Sequence, residues 1–419
     1  MKAGKKPVLI IGGGAAGYFA AIACAEANPK GVSVTLIEAG RAPLAKVRVS
    51  GGGRCNVTRH EFDPSEFVHG YPRGGRELRG PFSRFQARGT VTWFESRGVP
   101  LKTEPDGRIF PVSDESRSIT DCLEKAAADA GVFVRLNTRG RGIRKVSSPS
   151  GEGGFEAKFG HGESARFESV LLATGSAPEG YEIARSLGHT IEPCVPSLFT
   201  FEIREKLISG LEGVSFPDSR LMLEIEGKKP IEQRGPVLIT HWGLSGPAVI
   251  NLSAWGARLL HESRYRAGLR VNWLAEYDRE SLLRELLSHR ESHPRRSPRS
   301  GSGLPLPQRF WERIVELAGI PDDLTWANVS NDALMRIAGQ IADSHLSIVG
   351  KGEFKEEFVT CGGVRLREVD FRTMQSRITP GLYFAGEILD IDGITGGYNL
   401  QCAWTTGWIA GRAMGGRIE

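Results

Sequence analysis

Short apolar runs stopped by glycine set the pattern of this chain from its first residues onward. Residues 8–11 (Val-Leu-Ile-Ile) are a run of the kind that makes a strand buried on both faces. Glycines follow at once, and the alanine-rich residues 18–27 favour helix up to Asn28-Pro29. Residues 32–37 are a second, β-branched run, closed by Glu38. Residues 170–173 and 382–384 are further short strands that run into glycine. Residues 118–130 predict a helix capped by Asp114 or Ser116 and closed at Gly131. The arginine-rich residues 73–88 read as a linker, and residues 155–159 and 165–170 alternate as a small antiparallel layer.

Past residue 196 the period changes. Short β-type runs at 198–203, 220–225, 237–239 and 269–273 predict a sheet or barrel. Helical spacing then takes over at 281–287, 308–318 and 332–341, around a Pro/Ser/Arg-rich stretch at 292–307. The run at 290–299 is broken by prolines and serines and reads as a solvated loop. Residues 402–413 predict a last helix with small residues on one face.

The glycines of the first turn carry the first chemistry. Gly12-Gly13-Gly14-Ala15-Ala16-Gly17 matches G-x-G-x-x-G between a strand and a helix, and Glu38 closes the next strand about 20 residues on. Gly12 suits the tight turn, Gly14 the approach of a pyrophosphate and Gly17 the contact of helix with strand. The pyrophosphate would rest on the helix N-terminus, where free N–H groups favour anions, and Glu38 would accept from a ribose. This pattern alone does not separate NAD from FAD. The distant completion of the fold does. A nucleotide domain that begins at residue 8 and resumes after 380 is similar to the two-segment FAD domain of large flavoproteins. The predicted fold is therefore α/β, with a Rossmann-type FAD-binding domain built from residues 1–195 and 350–419. A β-rich, barrel-like subdomain (196–275) and a small helical one (276–349) interrupt it.

Composition narrows the class. With 40% apolar and 25% charged residues, the 419-residue chain is neither a disordered nor a membrane composition. Its 53 glycines show no collagen period, so they belong to turns and ligand-cradling loops. A net charge of +5 suits an anionic small ligand; nucleic acid is not required. The six cysteines are never at C-x-x-C spacing, which argues against a zinc ribbon or dithiol pair, and no metal is expected. No run reaches the roughly 20 apolar residues of a spanning helix, and the start does not read as a signal peptide, so a cytoplasmic protein without membrane contact is expected.

Five segments, at 46–58 (KVRVSGGGRCNVT), 107–114, 240–253, 360–370 and 381–411, resemble the BaiN-like FAD-dependent oxidoreductases. The resemblance implies the interrupted FAD domain and an enzyme that transfers a hydride between a small organic substrate and FAD. It leaves open whether NAD(P)H or oxygen is the second substrate. An RNA-modifying flavoprotein and a flavin-binding protein without turnover are the alternatives. Arg59 departs from the pattern, in which Asn commonly follows the Asn-Val-Thr stretch, and Gly140 replaces a Val expected at the adenine.

On this reading Gly12, Gly14, Ala15, Ala16, Gly17 and Glu38 hold the adenosine side, with Gly140 at the adenine. Lys46, Ser50, Gly51, Gly52, Gly53, Arg54, Cys55 and Asn56 run along the pyrophosphate and flavin. Ala173, Thr174, Gly175, Gly386, Glu387 and Asp392 line the middle, with Glu387 and Asp390 or Asp392 facing ribityl or ribose hydroxyls. Gly397, Tyr398, Asn399 and Leu400 open a helix toward the flavin edge that gains negative charge on reduction. His241, Cys361 and Tyr398 are the candidates for acid–base chemistry, His241 because imidazole titrates near neutral pH. No second βαβ glycine pattern is present for NAD(P)H, which is expected to lack a Rossmann site of its own.

Overall fold

The computed structural model describes residues 5–147, 153–352 and 359–417. The chain forms two compact units, Met1–Cys194 with Phe358–Glu419, and Val195–Glu357. In the first unit, β1 (Lys6–Ile11) lies in the middle of a seven-stranded sheet. It pairs in parallel with β2 (Val32–Ile37) on one side and with the strand Ser169–Leu172 on the other. Leu382–Phe384 adds in parallel beyond Ser169–Leu172, so residues from the far end of the chain complete the same sheet. Val8, Leu9 and Ile10 are almost wholly buried, which is what a strand covered on both faces requires.

The helix α1 (Ala15–Ala27) packs along the C-terminal helix Tyr398–Met414. Glycine makes that approach close: a methyl on Gly407 would sit 2.5 Å from the Ala16 carbonyl oxygen, and one on Gly411 2.3 Å from that of Ala20.

Residues 73–88 are not a linker. They form the helix Gly75–Arg84 and the start of Ala87–Glu95. Leu78, Pro81 and Phe82 are buried on one face while Arg76 and Arg79 stay exposed, so charge masked an amphipathic period. The helix expected at 118–130 spans Ser116–Asp129 and has no side-chain cap. Asp114 pairs with Lys102 instead, and Ser116 Oγ donates to the Arg48 carbonyl at 2.8 Å.

The second unit is a six-stranded closed barrel with five α-helices among its described residues, two of them the short Pro247–Trp255 and Ala257–Glu262. Its strands include Ser215–Glu224, Ile231–Thr240 and Ala267–Asn272, and Ser344–Lys351 closes it against Phe201–Ile203. The helices Arg279–Ser292, Gln308–Leu317 and Asn331–Ala342 share the barrel's apolar core. Phe216 meets Trp273 at 4.6 Å and Phe310 at 4.8 Å, centroid to centroid. Residues 276–349, which the sequence sets apart as a helical subdomain, thus share one core with the barrel and supply its closing strand.

One buried histidine ties the first unit together. The His189 side chain is fully buried, with Nδ1 3.2 Å from Glu368 Oε2 and Nε2 2.8 Å from Ser376 Oγ. Burial holds its pKa below the usual 6.5, against the opposing pull of Glu368. The unfolded chain therefore binds the proton more readily, and stability from this site falls as pH drops below 6.5 and levels off below the folded-state pKa. Urea midpoints of wild type should decline between pH 7.5 and 5.5, and His189→Gln should flatten that decline. Equal slopes in the two proteins would refute it.

Candidate functional site

Three glycines of the first turn occupy different surroundings. Gly12 has φ +111°, and a methyl there would meet the Ala173 carbonyl oxygen at 2.4 Å. A methyl on Gly17 would lie 1.9 Å from the Gly12 carbonyl oxygen. Around the Cβ direction of Gly14, by contrast, nothing lies within 4 Å. Gly14 is also the N-cap of α1 and carries no capping side chain, so the first-turn N–H groups of Ala15, Ala16 and Gly17 lack an intrahelical partner. An open space before an uncapped helix N-terminus is the arrangement a pyrophosphate fills. The residues present fit the group.

Glu38 holds this turn from below: its carboxylate accepts from Gly13 N at 2.7 Å and Gly40 N at 2.6 Å. An ionised carboxylate has about four acceptor positions, so capacity for ribose hydroxyls remains. Gly140 rests over Ile11 and Ile37, at the ends of β1 and β2. Ala173 N donates to the Ile11 carbonyl at 2.9 Å, and Gly175 is left-handed at φ +59°. Thr174 Oγ1 is buried with no partner and faces Gly180.

A second segment is tied to the turn by Leu44 N, which donates to the Gly13 carbonyl at 2.8 Å. Lys46 pairs with Glu387 at 2.5 Å, and Glu387 also accepts from Thr360 N at 3.0 Å. Ser50 Oγ donates to the Val47 carbonyl at 2.9 Å. Gly51, Gly52 and Gly53 all take left-handed φ, and the last two have open space where a side chain would stand. Arg54 is anchored away from this opening, on Glu104 at 2.6 Å and over the Phe110 ring at 4.0 Å. Cys55 is fully buried, and burial pushes its thiol up to about 12, so it is not poised as a thiolate. Iodoacetamide at pH 8 should therefore alkylate the exposed Cys194 in the native protein, and Cys55 only after unfolding. Peptide mass mapping reads this, and native-state labelling of Cys55 would contradict it.

The third segment is the start of the C-terminal helix. Gly397 is its N-cap at φ +95°, where a methyl would lie 2.5 Å from Thr58 backbone. Asn56, oriented by its hydrogen bonds, accepts from Gly397 N and donates to the Thr58 carbonyl, both at 2.9 Å. The N–H groups of Tyr398, Asn399 and Leu400 are the first-turn donors that remain. Asn399 is bound both ways to Gly393 at 2.8 Å. Gly386 N donates to Thr406 Oγ1 at 2.9 Å. A fully buried Gln401 accepts from Thr58 Oγ1 at 2.6 Å and Thr90 Oγ1 at 2.9 Å, which fixes the helix start.

Several expected roles change. Asp392, expected at a ribose or ribityl hydroxyl, is fully buried and accepts from Nε and Nη2 of Arg73, one on each carboxylate oxygen. A buried carboxylate needs such a partner, and this one is committed. Tyr398, a candidate acid–base group, packs its ring against Phe67 at 4.9 Å and Tyr71 at 5.6 Å. Its surroundings are those of a core aromatic. Cys361 is fully buried in Val359–Val364. His241, in the second unit, is solvent-facing, 4.0 Å from Glu212. Sequence reasoning did not find the Arg73–Asp392 pair or the contacts of Gln401 with Thr58 and Thr90, each bridging over 300 residues of chain.

Among the described residues no helix is long and apolar enough to cross a membrane. The description "HI0933-like protein Rossmann domain" matches residues 6–413. The chain is 30% identical to the ribosomal RNA dihydrouridine synthase of Escherichia coli K12, over 97% of both chains. It is also 30% identical to the 3-dehydro-bile acid delta(4,6)-reductase of Clostridium scindens, over 97% of this chain and 98% of that one. A 3-ketosteroid-Δ4-(5α)-dehydrogenase from Rhodococcus jostii RHA1 shares the fold at TM-score 0.51 and 17% identity, covering 99% and 97% of the two chains. The glycine turn, the two-ended sheet and these full-length likenesses lead to one conclusion: the chain belongs to the HI0933-like family of FAD-dependent oxidoreductases.

Proposed function

We propose that the protein is a reductase that uses FAD to saturate a carbon–carbon double bond conjugated to a carbonyl group. The observation that carries the cofactor is the open space at Gly14 before an uncapped α1. The reaction class draws on the printed names of two relatives. Dihydrouridine differs from uridine by one saturated ring double bond next to a carbonyl, and a delta(4,6)-reductase acts on ring double bonds of a 3-oxo bile acid.

FAD, when bound and reduced, would supply the hydride and return to its oxidised form. The chain's own groups would bind and orient it. Gly12, Gly14 and the N–H groups of Ala15–Gly17 would hold the pyrophosphate, with Glu38 on the ribose. The 50–56 segment, Gly397 and the N–H groups of Tyr398, Asn399 and Leu400 would hold the flavin, donors meeting negative charge as it develops. A small enone is the first substrate reading. A uracil in RNA is the second, favoured by the name that the Escherichia coli and Haemophilus influenzae relatives share. NAD(P)H would reach the flavin as an ordinary substrate, without a βαβ unit of its own.

The test is anaerobic. The FAD-loaded protein, reduced with dithionite, is mixed with a Δ4-3-ketosteroid or with a ribosomal RNA transcript. Return of the oxidised flavin band with either one is expected. A flavin that stays reduced with both, yet is reoxidised by oxygen, would overturn the proposal.

A further inference from the structure

Arg59 lies in the short strand Thr58–Arg59, immediately after the buried Asn56–Thr58 link to the C-terminal helix. Its guanidinium reaches between two left-handed glycines. A methyl built on Gly396 would lie 3.1 Å from Nη1, and one built on Gly107 3.5 Å from Cζ. Side chains at either place would crowd the group, so both glycines leave it room.

The charge of Arg59 is not used by the surrounding protein. Among the described residues no carboxylate lies within ion-pair distance of it. The acids of the Glu104–Gly107 turn are committed elsewhere: Glu104 pairs with Arg54 at 2.6 Å and Arg108 at 3.2 Å, and Asp106 with Arg108 at 2.6 Å. Glu61 Oε1 accepts from Asp63 N at 2.9 Å. The Tyr398 ring, 5.9 Å from Cζ, is at the far limit of a cation–π contact. Arg59 is partly buried and, among the described residues, has no carboxylate within ion-pair distance, so its charge is available to a bound anion.

We propose that Arg59 is a cofactor-facing residue whose positive charge stabilises the anionic reduced state of bound flavin over the oxidised one. The inference rests on the reading that Gly397–Leu400 faces the flavin, because Gly396 places Nη1 against that same loop. Arg59 would add a full charge to the partial charges of the helix N-terminus.

The experiment is a spectroelectrochemical titration of the FAD-loaded wild type, Arg59→Asn and Arg59→Lys. FAD content of the wild type is measured first, and its absence would strike the cofactor reading, not this one. The preference for reduced over oxidised flavin should fall about tenfold or more in Arg59→Asn, about 30 mV in a two-electron couple. Arg59→Lys should stay within about threefold of wild type. Arg59→Gln, neutral but longer than Asn, is read by the same criterion should the Asn variant not fold. An unchanged potential in the neutral variants overturns the proposal. So does loss of oxidised FAD from a folded Arg59→Asn protein, because the charge would then hold the cofactor and not its reduced state.

Discussion

Gly14→Val is expected to leave the protein folded and to remove FAD. The Cβ direction of Gly14 is empty, and its φ of −85° is one any residue adopts, so the apo fold has no reason to resist the side chain. The cost to folding is that of a poorer helix cap, up to about 1 kcal/mol. The same space is where the pyrophosphate would approach the first-turn N–H groups. A β-branched side chain there forces the phosphate away from two or more charge-assisted hydrogen bonds. That loss is about 4 kcal/mol, a roughly thousandfold weaker affinity. Gly17→Val should behave differently, because its side chain would run into the Gly12 carbonyl and damage the apo fold itself. His241→Ala, in the other unit, should retain FAD. Flavin-fluorescence titration with a thermal melt separates these outcomes. Full occupancy in folded Gly14→Val would show that the phosphate lies elsewhere.

The second large effect falls on the buried pair. Arg73→Met should destabilise the first unit by about 3–5 kcal/mol, because it leaves the Asp392 carboxylate charged and without its cation at a fully buried position. Arg73→Met combined with Asp392→Leu should recover most of that loss, since no unpaired charge remains. Denaturant unfolding of both single variants and the double one gives the coupling directly. A single variant within about 1 kcal/mol of wild type would mean that Asp392 is not isolated from water or takes up a proton at no cost.

The parts of the site that could be read in the sequence are local. A strand, three glycines at fixed spacing, an alanine-rich helix and a closing acid fall within residues 6–38, where period and turn chemistry are short-range. The return of residues 382–384 to the same sheet was legible because apolar strands ending in glycine recur near both ends. What escaped depends on distance. Asp392 resembles any acid beside glycines, and only the folded chain brings Arg73 to it across more than 300 residues. The helix Gly75–Arg84 was masked by its arginines, and the closing strand Ser344–Lys351 follows directly on a run of helical signals. Arg59 stood out in sequence only as a departure; the emptiness of its charge environment is visible in the structure alone.

The most direct test of the whole account is the identity of the chromophore. The purified protein, reconstituted with a mixture of FAD and FMN and freed of excess ligand, is denatured and its flavin separated chromatographically. One FAD per chain is expected, because the open turn at Gly14 and the carboxylate of Glu38 serve an adenosine diphosphate that FMN lacks. FMN in its place, or no retained flavin, would contradict it.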